Sequence, residues 1–307
     1  MDEKSIKGLK FAFAESAPSW EEMFDMTGKV AIITGGTSGL GFALANRMAQ
    51  AGASVVITGR NDEKGAECEA YFRGKGWEVS YFKADVSKVA DCHAVAEFAV
   101  EKYGRLDILV PVAAVWDFGA IVDISEETYD RIVDTNTKGQ YFMIQAAARQ
   151  MIKCGNGGVI TMCSSITRTG MGDSFFVNLD SAYCTSKSAL LGLCVSLARE
   201  LKVHGIRVNM VTPGAQITEG LMSNGHAAMA KYGAKYVEVS GQSQQWCPVP
   251  VSKTPDEVAR VIFAMCTDFS AFMYGVNVDV DGGSLFCFTR EPFSYTLEGC
   301  VPGPQID

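Results

Sequence analysis

The chain is predicted to fold as α/β: a doubly wound parallel seven-stranded sheet with helices on both faces, in a single domain. Three observations predict it. Short β-rich runs alternate with longer helical patterns between residues 30 and 280, the arrangement from which parallel sheets are built. Several of the short runs are continuously apolar, as strands buried on both faces must be. The first of them enters a glycine-rich turn followed at once by a helix. The composition agrees, since 48% of the 307 residues are hydrophobic and 20% charged, ample core for a globular protein.

The elements follow in order. The first strand, 30–34, leads into Thr34-Gly35-Gly36-Thr37-Ser38-Gly39-Leu40-Gly41 and then a helix over 40–51. Glycines permit the tight turn and let backbone N–H groups approach a phosphate, and the helix N-terminus adds partial positive charge at the same place. A glycine cluster alone also fits a plain turn. Set between a first strand and a helix it meets the context of a dinucleotide-binding loop, so Gly35, Thr37, Ser38, Gly39, Leu40 and Gly41 are candidate cofactor contacts. The second strand, 54–58, ends at Gly59-Arg60-Asn61 before a helix over 62–75. An acid there would hold a ribose 2′-hydroxyl; a small residue followed by arginine instead leaves room for a 2′-phosphate and a guanidinium to pair with it. NADP(H) is therefore expected, with NAD(H) possible and a solvated Arg60 the plainer reading. The third strand, 78–83, closes on Asp85-Val86. Asp85 either accepts from an adenine amino group or caps the helix over 88–103.

The fourth strand is expected over 107–110 and a single long helix over 125–153, with Asn136 inside it. Asn has mediocre helix propensity. Two readings stand: it holds a water near Lys187, or it is an exposed helix residue. The fifth strand, 159–163, ends at Cys163-Ser164-Ser165, on the carboxyl edge of the sheet where ligands bind. A hydroxyl there can bond the reacting oxygen; Ser165 is the candidate, with Ser164 the alternative if the register slips by one. The helix over 181–204 carries Tyr183-Cys184-Thr185-Ser186-Lys187. Tyr and Lys at i and i+4 share a face, and an ammonium beside a phenol is expected to lower the phenol pKa, which suits a general acid and base. Taken alone the pair is an ordinary helix-surface pair. The sixth strand, 207–211, runs to Pro213-Gly214; a helix over 255–267 and a last strand over 276–280 complete the alternation. Residues 215–253 form a long insert, read either as a lid over substrate or as helices packed on a neighbouring subunit.

Together these motifs resemble the short-chain dehydrogenase/reductase family. The resemblance covers roughly 28–283 and rests on TGGTSGLG at 34–41, Asp85-Val86, Asn136 before Thr-Lys-Gly, Ser165, Tyr183-x-x-x-Lys187, Pro213-Gly214 with Thr218, and Asp281-Gly282-Gly283. It implies a Rossmann fold, a catalytic tetrad of Asn136, Ser165, Tyr183 and Lys187, a bond from Lys187 to the nicotinamide ribose, and a nicotinamide border of Pro213, Gly214, Ile217 and Thr218. Ala113 would lie against the cofactor, and a homotetramer is implied. Two departures stand out. The family carries Asn-Asn-Ala-Gly after the fourth strand, where this chain has Pro111-Val112-Ala113-Ala114, so the bonds that hold this segment must be made otherwise. Ser165 also lies further before Tyr183 than the family's usual gap, the extra residues falling in 170–181.

The expected organisation is an N-terminal extension over 1–27, a catalytic domain over 28–283 with a substrate segment at 215–253, and a tail over 284–307. The expected activity is NADP(H)-dependent interconversion of a secondary alcohol and a ketone. A dinucleotide-binding sensor or scaffold is the alternative, as is a reductase of small acyl or sugar carbonyls. Trp116, Phe118, Phe175, Phe176, Met222, Met229, Tyr232, Tyr236 and Trp246 as a group suggest a bulky apolar substrate such as a steroid, although core packing is the commoner role of any one. A net charge of −8, from 27 basic and 35 acidic residues, gives no footprint for nucleic acid. No apolar run reaches membrane-spanning length, and a cytoplasmic location is expected. The 10 cysteines lack C-x-x-C spacing and a nearby histidine pair, so buried reduced thiols are expected and no metal site.

Overall fold

The computed structural model describes residues 16–117, 119–169, 180–216, 218–219 and 254–283. A seven-stranded sheet of order β3-β2-β1-β4-β5-β6-β7 forms the centre. Its strands are β1 Val30–Thr34, β2 Ser54–Gly59, β3 Val79–Lys83, β4 Ile108–Pro111, β5 Gly158–Cys163, β6 Ile206–Pro213 and β7 Asn277–Val280, and every neighbouring pair is parallel. β1 is buried at all five positions and β6 at all eight, because helices cover both faces.

The alternation of a strand's side chains divides the core into two layers. Val30 and Ile32 of β1 join the cluster under α4 Val89–Tyr103, α6 Gly139–Cys154 and α7 Ser181–Glu200, where Ala96, Met143 and Leu190 pack. Ala31 and Ile33 join the opposite cluster under α2 Gly39–Gln50, α3 Asp62–Gly74 and α8 Pro255–Cys266, with Leu44, Phe72 and Ile262. Arg47 of α2 grips the Asp256 carboxylate of α8 with Nε at 2.6 Å and Nη2 at 2.7 Å. Arg207 of β6 is 5% exposed and donates to the carbonyls of Met265, Thr267 and Ser270, satisfying the C-terminal end of α8. Before β1, a short helix α1, Trp20–Phe24, is closed by a reciprocal Ser19–Glu22 capping box. Phe24 stacks on Phe263 and Phe269 at 6.0 and 5.6 Å.

One expected element is corrected. The helix anticipated over 125–153 is α5 Glu126–Val133, a π-helical turn Asp134–Lys138, then α6. Hydrophobic periodicity shows only that the run is helical; one added residue in a turn leaves no clear mark on it. Likewise the helix starting at 181 tightens to a 3₁₀ turn over Leu201–His204. The seven described cysteines are all free thiols, five of them buried. No helix among the described residues is long and apolar enough to cross a membrane.

Candidate active site

Strand order reverses between β1 and β4, so their helices leave on opposite faces and a crevice opens at the carboxyl ends of the strands. There lies a cleft of about 630 Å³. At one end it is lined by Gly59, Arg60, Asn61, Asp85 and Val86. Arg60 is exposed at its mouth. Asn61 is committed to capping α3 through Lys64 N at 2.9 Å. Asp85 does not cap α4. Its carboxylate instead accepts from the Ser87 amide and hydroxyl at 3.1 and 2.7 Å. Burial works to raise the Asp85 pKa, but those bonds and the charges of Arg60 and Lys88 outweigh it and the net direction is down, so the group is a carboxylate near neutral pH.

The glycine loop forms the middle, with Gly35, Thr37, Ser38, Gly39, Leu40 and Gly41 all on the wall. Gly35 has φ +67°, the left-handed region that glycine tolerates. A Cβ at Gly41 would collide with the Gly35 carbonyl oxygen. Ser38 precedes α2 without a side-chain capping bond, which leaves first-turn N–H groups without that partner at the cleft wall. The Pro111–Ala114 departure is repaired locally: Ala113 N donates to Thr34 Oγ1 at 3.1 Å, and Val115 exchanges two 2.8 Å bonds with the Asn136 carboxamide. Ala113 and Ala114 reach the cleft wall.

At the far end stand Ser165, Tyr183, Lys187, Pro213, Gly214 and Thr218. The serine ambiguity resolves by direction. Ser164 is 3% exposed and donates to the Lys187 carbonyl at 3.0 Å, whereas Ser165 lies within hydrogen-bonding reach of the Tyr183 phenol. Ser165 Oγ is itself held by Thr167 N and Oγ1 at 3.3 and 3.1 Å. Lys187 is 1% exposed; its Nζ donates to the Cys163 carbonyl at 3.1 Å and sits 5.7 Å from the centre of the Tyr183 ring. The expected lowering of the phenol pKa is corrected: burial, with the Cys163 thiol adding to it, pushes Tyr183 up. Burial sets the direction here, and the same burial pulls Lys187 down.

Asn136 is fully buried, not an exposed helix residue, and does not reach the cleft wall. Its carboxamide braces Val115 and, through Nδ2 at 3.1 Å, Ser186 beside Lys187. Sequence reasoning missed Gln216, which lines the cleft with a buried Oε1 that meets no donor among the described residues, and the Lys64–Glu219 pair at 3.3 Å that links α3 to the segment after β6. No periodicity marks either. Trp116, a candidate for the substrate pocket, is not on the cleft wall; its ring centre stands 6.1 Å from that of Tyr183. Ile217, Phe118, Phe175, Phe176, Met222, Met229, Tyr232, Tyr236, Trp246 and residues 1–15, 220–253 and 284–307 lie outside the described residues.

A family model described as short chain dehydrogenase matches residues 29–228. An uncharacterized oxidoreductase of Thermotoga maritima is 36% identical over 84% of this chain and 97% of its own length. An L-rhamnose 1-dehydrogenase (NAD(P)(+)) of a Sphingomonas species is 32% identical over 84% of this chain and 96% of its own. The crystal structure of a short-chain type dehydrogenase/reductase from Mycobacterium marinum superposes with TM-score 0.75 at 30% identity, covering 87% of this chain and all of that one. The chain belongs to the short-chain dehydrogenase/reductase family. It is an oxidoreductase that acts on CH–OH groups and their carbonyl counterparts, with a nicotinamide dinucleotide as cofactor.

Proposed function

We propose that the protein uses NADP(H) to interconvert a secondary alcohol and a ketone on a bulky apolar substrate, with Tyr183 moving the proton. The observation that carries the proton role is the convergence of Tyr183, Ser165 and Lys187 at one end of the cleft. The cleft fits a dinucleotide: the glycine loop and the first residues of α2 line it, a Cβ at Gly41 would break the loop's close turn against Gly35, and the orphaned Gln216 oxygen awaits a donor. When bound, the dinucleotide supplies the hydride donor or acceptor.

The residues divide the remaining work. Gly35–Gly41 backbone amides hold the pyrophosphate and Arg60 pairs with the 2′-phosphate; no acid stands at the end of β2 to prefer a free hydroxyl. Asp85 accepts from the adenine amino group. Pro213, Gly214 and Thr218 on the cleft wall would border the nicotinamide, and Lys187 would bond its ribose. Burial keeps the Tyr183 phenol protonated at neutral pH, so it stands ready to donate to a carbonyl oxygen, while the Ser165 hydroxyl bonds the same oxygen. Asn136 keeps Val115 and Ser186 in place around the pair. Trp116, tilted at 51° to the Tyr183 ring, offers an apolar wall for a polycyclic ketone such as a steroid.

A second reading, a sugar substrate, has support in the L-rhamnose 1-dehydrogenase relative. NADPH and NADH oxidation followed by absorbance against steroid, terpenoid and sugar carbonyls separates the readings. Turnover of the polycyclic ketones with NADPH is the expected result; turnover confined to sugars overturns the substrate assignment.

A further inference from the structure

Gln140 is the second residue of α6 and is 2% exposed. Its Nε2 donates to the Cys163 carbonyl at 3.1 Å, the same oxygen that accepts from Lys187 Nζ at 3.1 Å. That carbonyl is free of the sheet for a geometric reason. Ser164 N donates to Val211 O on β6 at 2.9 Å, so the other end of this trans peptide, the Cys163 oxygen, points away from β6 toward β4. On that side β4 pairs with β5 only at Ile108↔Val159 and Leu109↔Ile160, and its last residue, Pro111, has no N–H to give. Two side chains therefore share a backbone acceptor that no strand claims, and a carbonyl has two lone pairs, one for each.

The other half of the Gln140 amide is anomalous. Its Oε1 is buried and meets no donor among the described residues, a destabilising arrangement. An apolar side chain of the same length would fill the space without an orphaned acceptor. It would also leave the Cys163 carbonyl satisfied by Lys187. Folding alone is served as well by methionine or leucine as by glutamine. We propose that Gln140 is a positioning residue: its amide occupies one lone pair of the Cys163 carbonyl and so confines Lys187 Nζ to the direction that holds it against Tyr183.

The inference rests on the reading of Tyr183 and Lys187 as the proton-handling pair. The titratable groups facing Lys187 are Tyr183 on its own helix and Cys163 on β5; Asp180 acts on Tyr183 from the start of α7. None of them is on α6, so Gln140 reaches the pair only through the shared carbonyl. With its N–H removed, Nζ ranges over both lone pairs and spends less time beside the phenol, and the phenolate loses support.

Gln140→Met and Gln140→Leu test this together. Both are expected to melt at the wild-type temperature or above it and to bind NADPH within about twofold of wild type in a direct titration. Turnover should fall about fivefold or more in kcat with KM little changed, and the pH limb that reports Tyr183 should move up by about half a unit. Failure of both variants to fold overturns the proposal, because the orphaned oxygen predicts tolerance. So does a pH limb that coincides with wild type. A readout independent of turnover is the ¹³Cε titration of Lys187 in the cofactor-free protein, assigned by its loss in Lys187→Met. Its midpoint should rise in Gln140→Met, since an amide N–H no longer turns its positive end toward the same oxygen; an unmoved midpoint overturns the inference. If wild type turns over no carbonyl with NADPH, the functional reading falls while the Lys187 titration still tests Gln140.

Discussion

At the scale of single residues, chemistry is concentrated in a few side chains whose environments differ sharply over a few ångströms. Adjacent serines illustrate it: Ser164 spends its hydroxyl on the Lys187 carbonyl, and Ser165 presents its own to Tyr183. Tyr183→Phe removes the proton donor without touching a cofactor contact made by the loop or Arg60. Turnover should fall about 10²–10⁴-fold while NADPH titrates normally; a variant retaining about a tenth of wild-type turnover would show that another group donates the proton. Arg60→Ala should weaken NADPH far more than NADH, because a charge-assisted bond to phosphate contributes about 1.5–3 kcal/mol. Titration of both cofactors against both proteins checks it, and an unchanged ratio would remove NADP(H) preference from Arg60.

Among the elements, the π-helical turn Asp134–Lys138 does most to build the site. It interrupts the helix where the buried Asn136 carboxamide meets Val115 on one side and Ser186 on the other. Asn136→Ala leaves the Val115 amide and carbonyl without these partners, a loss of about 1–3 kcal/mol. Urea unfolding measures it. A stability equal to wild type would mean that the loop after β4 is held by other bonds. The Pro111–Ala114 segment depends on the same turn, since the polar side chains that the family places there are absent from this chain and the partners come from Thr34 and Asn136.

For the whole molecule, two predictions follow from burial. Thiols sit deep in the core, and burial pushes Cys266 up to about 12 and Cys92 and Cys194 up to about 11 from 9.0. In the unfolded chain they ionise near ~8.5, so above that pH the unfolded state binds fewer protons than the folded one and stability falls as pH rises. The loss runs from about pH 9 toward the folded values. Urea midpoints should therefore decline steadily from about pH 9 to about pH 11, and a flat profile would mean the thiols ionise in place. The second prediction is a homotetramer. Tyr141 and Ile152 on α6 and Leu191 and Val195 on α7 are 40–47% exposed, apolar surface on the two long helices that a symmetric partner would cover. Light scattering at assay concentration should return about four times the chain mass; the mass of one chain would refute it.

By itself, the sequence determined the sheet, because burial on both faces forces continuous apolar strands such as Val30–Thr34, and it determined the glycine loop, because Gly35 needs a positive φ and Gly41 cannot carry a Cβ. It also placed Tyr183 and Lys187 on one helical face, since spacing alone fixes that geometry. What only the tertiary structure decided depends on direction and desolvation. Nothing local says that Ser165 rather than Ser164 faces the phenol, that Asn136 is buried in a π-turn, or that a carbonyl beside Pro111 is left to Gln140 and Lys187. The expected fall in the Tyr183 pKa failed for the same reason: sequence spacing counts the neighbouring charge, but the loss of water around both groups is set by every element packed over them.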